Sequence, residues 1–184
     1  AAALLAQAEH GSGKEHVFLV TDNSSIIEKS LIEIDRRIVN LSHEAAIRQT
    51  LESGLYVIEA EDKKSIVKIA NFIGPEHLEL QVDESKIDEL TAGITTAGAI
   101  LQGHDTPTVL GDFAAGPSHV LPTGRSCRFS SGLRLCDFMR RSSIVRYDRN
   151  ALRKATSVIS CFSKMETLDA HRESLSVRLE TPDS

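Results

Sequence analysis

Cysteine is scarce in this 184-residue chain, and long apolar runs are absent. The three cysteines, Cys127, Cys136 and Cys161, are an odd number with no Cys-x-x-Cys spacing. That excludes a disulfide framework and a zinc ribbon, and it fits a reducing compartment. No apolar stretch approaches the ~18 residues of a membrane span. The common catalytic signatures fail one by one. No GxGxxG occurs anywhere. "GSGKE" (11–15) approaches a phosphate loop, but Ala8 stands where the first glycine belongs and Glu15 follows Lys14 in place of Ser or Thr. "HEAAI" (43–47) has Ile47 where a zinc-protease helix needs its second His, and "GPSHV" (116–120) lacks the closing glycine of a nucleophile elbow. The sequence opens without an initiator Met, and we expect no signal peptide there. "AAALLAQAEH" opens in the middle of a helical pattern, so we expect further sequence upstream.

What is present is an ordinary globular composition, 41% hydrophobic and 26% charged. The net charge of −5 argues against nucleic acid as the main partner. That charge is uneven. Residues 125–154 hold nine Arg or Lys against Asp137 and Asp148, giving +7 and leaving −12 for the rest. Such a segment is a solvated or subunit-facing surface, or else a site for an anionic ligand.

The hydrophobic pattern alternates between strand and helix. We expect a helix over 1–10, a strand over 16–22 covered on both faces, and a helix from about Ser25 capped by Ser24 or Ser25. In that helix Ile26, Ile27, Leu31, Ile34 and Ile38 recur at helical spacing. A helix over 42–54, capped by Ser42 and stopped by Gly54, precedes a strand over 55–60 and a helix over 62–74. "HLELQV" (77–82) alternates like a strand with one wet face. A helix from "DESKIDELTAGI" and a strand over 97–103 follow. This order implies an α/β domain with a largely parallel sheet. After about residue 133 the pattern becomes one or two helices without strands, too short to bury an apolar face alone and expected to dock on another domain or subunit.

Some polar residues stand out. Gln7 and His10 lie three apart on the opening helix, one face of which could offer both to a single ion. Glu76 and His77 sit at a strand start, where open α/β sheets gather ligand groups, and a base beside a carboxylate is a common catalytic arrangement. Asp112 lies in "LGDFAAGPSHVLPTG", a Gly- and Pro-rich stretch with the look of a shaped loop. His171 is on the C-terminal helix with Glu166 five residues earlier. Each has a plain alternative as a surface, turn or capping residue. Taken together, Gln7, His10, Asp112 and His171 form an N/O donor set suited to Zn²⁺, which by itself points to a zinc hydrolase with Glu76 or His77 activating water.

"LLAQAEHG" (4–11), "GPEHLEL" (74–80), "AGAILQG" (97–103), "LGDFAAGPSHVLPTGRSCRFSSGL" (110–133), "DFMRR" (137–141) and "ETLDAH" (166–171) resemble the histidinol dehydrogenase family, in the family's order and nearly end to end. The resemblance implies that Gln7, His10 and Asp112 bind one zinc per subunit, with His171 completing the site from the neighbouring subunit of a homodimer. Glu76 and His77 would be the catalytic pair. The same zinc ligands, with His77 and Glu166, would contact substrate, Glu166 again across the dimer. The family oxidises L-histidinol through L-histidinaldehyde to L-histidine with two NAD⁺, completing histidine biosynthesis. His77 would accept the hydroxyl proton as hydride leaves, and Glu76 would activate water to hydrate the aldehyde.

The family's chains are more than twice as long, and the resemblance covers their C-terminal part. NAD contacts and a further substrate-binding serine belong to the upstream part, so no cofactor-binding residue is named here. Arg125 and Cys127 stand where the family has smaller, uncharged residues. His119 is expected to be a structural hydrogen-bonding residue. The expected fold is an incomplete Rossmann-like three-layer α/β domain (1–133) carrying most of the site. A helical dimerisation tail (134–184) would follow it. The implied location is the cytoplasm, or the plastid in a plant, with no nucleic acid or membrane partner. The chain alone is expected to lack dehydrogenase activity. The alternatives are a zinc-dependent hydrolase and a non-enzymatic zinc-binding dimerisation remnant.

Overall fold

Two parallel strand pairs carry the first part of the chain, in a computed structural model that describes residues 1–180. The last four residues of the expected tail lie outside the described residues. The chain divides into two compact units, Ala1–Phe138 and Met139–Ser184.

In the first unit the order is α1 (Ala2–Ala8), β1 (Val17–Thr21), α2 (Ser24–Ile38), α3 (Glu44–Gly54), β2 (Leu55–Glu59), α4 (Lys63–Ile73), β3 (His77–Leu80), α5 (Glu84–Gly93), β4 (Ala99–Gln102) and α6 (Thr108–Phe113). Short 3₁₀ turns follow at Ser126–Arg128 and Leu135–Phe138. The α/β alternation and the parallel pairing are those expected. The pairing, however, falls into two separate two-stranded sheets, β1 with β2 and β3 with β4.

The β1–β2 pair is held by apolar packing. Leu5 and Ala8 of α1, Val17 of β1, Ile34 and Ile38 of α2 and Ile47 of α3 form one buried cluster. Burial of each large side chain is worth roughly 1.5–3 kcal/mol, and the spacing of these residues puts them on one face of their helices. Only part of the α2 stripe is used: Ile26 and Leu31 remain exposed. Nor is β1 covered on both faces. Val17 is buried but the other four residues are half-buried, and Phe18 stacks on the exposed Tyr56, its register partner in β2.

Helix caps differ from the simplest reading. Asn23, not Ser24 or Ser25, caps α2 by accepting from the Ser25 N–H at 3.0 Å. In the Asn-Ser-Ser run all three residues are competent caps, and the first wins. Helix α3 begins at Glu44 behind His43, and Ser42 does not cap it. Helix α4 runs as expected from its Asp62 cap to Gly74, whose left-handed conformation (φ 58°, ψ 60°) turns the chain directly into Pro75-Glu76-His77.

The second unit is a helical hairpin, α7 (Arg149–Met165) and α8 (Asp169–Glu180), with no strand among the described residues. Asp148 caps α7, and Arg149 donates to the Leu179 carbonyl at 2.9 Å, tying the start of one helix to the end of the other. Leu175 and Ser163 are buried there, while Val158, Phe162 and Met165 leave an apolar face of α7 open to solvent.

Candidate active site

The strand–turn that carries Glu76 and His77 is built by close backbone approach. Gly98 donates to the Pro75 carbonyl at 2.9 Å, and Ala99 to the Glu76 carbonyl at 2.8 Å. A Cβ at position 98 would lie 2.5 Å from the Glu76 carbonyl oxygen, so only glycine lets the two backbones meet here. From outside, the 125–128 turn closes on the same region. Arg128 donates to the carbonyls of Asn71 (2.9 Å) and Phe72 (2.7 Å) at the end of α4, and Arg125 lies over the Phe72 ring at 4.7 Å. Arg125 holds a left-handed backbone (φ 67°) to do so, an uncommon conformation for a side-chain-bearing residue. Below, the Asn71 side-chain oxygen accepts from the Thr95 and Thr96 N–H groups at 2.8 and 3.1 Å, and its amide donates to the Gly93 carbonyl at 2.9 Å, fixing α4 against the approach to β4.

Against this frame stands α6. Asp112 is not in an irregular loop, as the Gly- and Pro-rich stretch implied; it lies in this one-and-a-half-turn helix. His77 Nε2 donates to Asp112 Oδ1 at 3.2 Å, and both side chains are largely shielded, at 16% and 24% exposure. A carboxylate can only accept, so this bond keeps the proton on Nε2. The lone pair of a neutral His77 is then at Nδ1. A carboxylate that orients a histidine in this way is the arrangement used to hold a general base in one tautomer.

The remaining expected residues divide. Gln7 is half-buried in the last turn of α1, whose Leu5 and Ala8 are in the apolar cluster. His10 is exposed and lies in the turn just beyond that helix, not on it. Its Nδ1 donates to the Gln7 backbone carbonyl at 3.2 Å, which leaves Nε2 as the free donor atom, as a metal-binding histidine requires. Glu166 and His171 do not share a helix. Glu166 closes α7, Thr167 turns the chain with φ 54°, and His171 lies in the first turn of α8 in the second unit. Both are exposed. His119 is also exposed, in the irregular stretch before the 125–128 turn. In kind, the donor set fits zinc. Among the described residues, however, no three His, Cys, Asp or Glu side chains converge where a metal could be held.

Several contributors escape a reading by motif. Glu79, two residues beyond His77 on β3, accepts from the Thr108 N–H at 2.6 Å and its hydroxyl at 2.8 Å. Gln81 donates to Glu79 Oε2 at 3.0 Å, and its own oxygen accepts from His104 Nδ1 at 2.9 Å. The alternation of 77, 79 and 81 is visible in the sequence, where it reads as a wet strand face. In the structure, that face is docked on the segment bearing Asp112. The phosphate-loop look-alike resolves similarly: the N–H groups of Ser12 and Lys14 point at the chain's own Glu15 carboxylate, at 2.9 and 3.1 Å.

A family model described as "Histidinol dehydrogenase" matches residues 1–179. The chain belongs to the histidinol dehydrogenase family. It is 42% identical, over its whole length, to the histidinol dehydrogenase of Agrobacterium fabrum and 37% identical to that of Bacillus licheniformis, and in each case it spans 42% of the relative's length. The crystal structure of histidinol dehydrogenase from Elizabethkingia anophelis matches 97% of the chain with a TM-score of 0.91 at 28% identity, and 40% of that structure is covered. The fold of this segment is therefore that of histidinol dehydrogenase, and its matched relatives are oxidoreductases by name. No described helix is long and apolar enough to cross a membrane.

Proposed function

We propose that this chain supplies the metal-binding and proton-transfer part of an NAD-linked L-histidinol dehydrogenase, which oxidises L-histidinol through L-histidinaldehyde to L-histidine. The observation that carries the reading is the shielded His77–Asp112 hydrogen bond, formed between two family-motif residues that are 35 positions apart.

The roles follow from the chemistry each side chain can do. With Nε2 committed to Asp112, His77 accepts the substrate's hydroxyl proton at Nδ1 as the carbinol carbon loses hydride. Asp112 holds the ring and stabilises the imidazolium that results. Glu76, on the adjacent turn, takes a proton from water so that the aldehyde becomes a gem-diol, the form that can lose a second hydride. Once it has released the first proton to solvent, His77 accepts the second hydroxyl proton. Gln7, His10 and Asp112, with His171 of the partner subunit, would hold a Zn²⁺ that anchors the substrate's imidazole and amine, and NAD⁺ would take the hydride at each step. Glu166 of the partner subunit would bind substrate. The open apolar face of α7 gives the tail a reason to dock on a second copy. The reading assigns the chain to the cytoplasm, or to the plastid in a plant.

Zinc and histidinol binding by calorimetry, at concentrations where dimers form, tests the assignment. Wild type is expected to take one zinc per chain, with affinity at least tenfold lower in Asp112→Ala and in His171→Ala. In a full-length enzyme carrying this segment, His77→Ala should lose about 10²–10⁴-fold in histidinol-dependent NAD⁺ reduction while keeping its zinc. Equal zinc affinity in all variants would overturn the ligand set. NAD-independent hydrolysis of histidine esters would favour the hydrolase, and zinc binding with no histidinol binding the remnant.

A further inference from the structure

We propose that Glu79 is a positioning residue: it anchors the start of α6 on β3 so that Asp112, one turn later, faces His77. The inference rests on the reading of His77 and Asp112 as site residues.

Three polar contacts join β3 and Gln81, the residue just beyond it, to the segment that follows β4. His77 meets Asp112, Glu79 meets Thr108, and through its amide oxygen Gln81 meets His104. On the strand the partners are two residues apart, a rise of about 6.8 Å; on the other side they are four apart, about 6 Å where helical. Over the helical interval from Thr108 to Asp112 the two spacings are nearly commensurate, so those two contacts stay in step; His104 lies in the turn before α6. Glu79 is the middle of the three and carries the most donors. Its Oε1 takes both Thr108 groups and its Oε2 takes Gln81, so the half-buried carboxylate is met by hydrogen bonds on both oxygens.

Helix α6 needs such an anchor. Six residues are far too few for a helix to persist unaided, and the residue before Thr108 is Pro107, which makes no side-chain cap bond. The Thr108 N–H is one of the helix's orphan donors, and Glu79 satisfies it from a neighbouring element with a charge-assisted bond. Thr108 and Asp112 are i and i+4, hence on one face of α6. Fixing the first directs the second. The 3.2 Å His77–Asp112 bond alone would leave the helix free to pivot about a single point.

The test uses the whole chain as purified, with Glu79→Ala and Glu79→Gln beside wild type and Asp112→Ala. Glutamine keeps an oxygen that accepts both Thr108 donors; alanine keeps none. In Glu79→Ala, amide exchange over 109–113 is expected to rise at least tenfold, with exchange in β1 and β2 unchanged. The His77 ring ¹⁵N signals, read at one fixed pH, should move toward those of Asp112→Ala. Zinc affinity should fall about tenfold or more, the size typical for groups that orient a ligand from behind. Glu79→Gln should stay within about threefold of wild type in exchange and affinity. The proposal is overturned if Glu79→Ala leaves α6 exchange and the His77 signals as in wild type. Equal loosening of every amide in the first unit would also overturn it, by making Glu79 merely structural, as would Gln failing as badly as Ala. If wild type takes up no zinc, the functional reading fails, while the exchange and ring signals still decide the role of Glu79.

Discussion

Both strand pairs of the first unit bury apolar side chains, Leu80, Leu90 and Leu101 among them at the second, but they differ in what else braces them. Around β1 and β2, helices α1, α2 and α3 close on an apolar cluster in which Ala8 and Ile47 are fully buried and Ile38 nearly so. Around β3 and β4, the distinctive contacts are hydrogen bonds: Asn71 to the 93–96 turn, Gly98 to Pro75, Glu79 to Thr108, His77 to Asp112. Apolar burial is strong but non-directional, whereas a hydrogen bond weakens steeply with angle. The first kind makes a frame; the second aims a side chain. His77 and Asp112 sit in the half where directional contacts fix the orientation of the ring.

The comparison can be broken most severely in the apolar half. Ile47→Ala empties a position with no solvent exposure and should cost about 2–5 kcal/mol by urea denaturation. His77 ring signals in the still-folded fraction should remain those of wild type; a shift would mean that the two halves are not mechanically separate. In the hydrogen-bonded half, Gly98→Ala pushes a methyl group against the Glu76 carbonyl, where backbone and not a flexible side chain must yield. The expected cost is smaller, about 1–3 kcal/mol, but it should fall on the site, with faster amide exchange at Ala99 and a displaced Glu76–His77 turn.

Acid gives the smallest effect. Hydrogen bonding from the Ser12 side chain and then from the local N–H groups holds the Glu15 carboxyl down to about 2, and the Ser65 N–H and hydroxyl lower that of Asp62. Both folded values lie below the unfolded ones. Their contribution is therefore complete above about pH 4.5 and fades as the pH falls toward 2, when the folded groups also take up protons. Both groups face solvent, so the loss should be slight. The difference in urea midpoint between wild type and Glu15→Gln should be present at pH 6 and vanish near pH 2; a gap that grows on acidification would reverse the assignment.

How much of this was legible in the sequence depended on length and locality. The β1–α2 and β2–α4 units announce themselves through long periodic runs, and Asp62 and Gly74 mark the ends of α4 plainly. Helix α6 was hidden because "TVLGDF" is short, contains Gly111 and is stabilised by a partner 29 residues away, which no local rule sees. The break between Glu166 and His171 carries no Gly or Pro; Thr167 adopts a left-handed conformation instead. Glu76, His77 and Asp112 could be singled out by residue type and by family motif, but their pairing could not. A contact between positions 77 and 112 depends on how far α6 stands from β3, which is a property of the packed chain.

The mounting of the Pro75-Glu76 turn has a mechanical consequence. Gly98 and Ala99 bond the turn itself, while the end of the preceding helix is held by Asn71, through its bonds to the 93–96 turn, and by the Arg125–Arg128 clasp on Asn71 and Phe72. A turn bonded along its own backbone, and entered from a helix end that is itself held, has little freedom to swing. Stiffness at this turn is thus bought with contacts remote in sequence, and the strained backbone of Arg125 is a spring in the clasp rather than a flaw. A substitution that relaxed it would lower local strain and yet widen the thermal excursion of the Glu76 carboxylate.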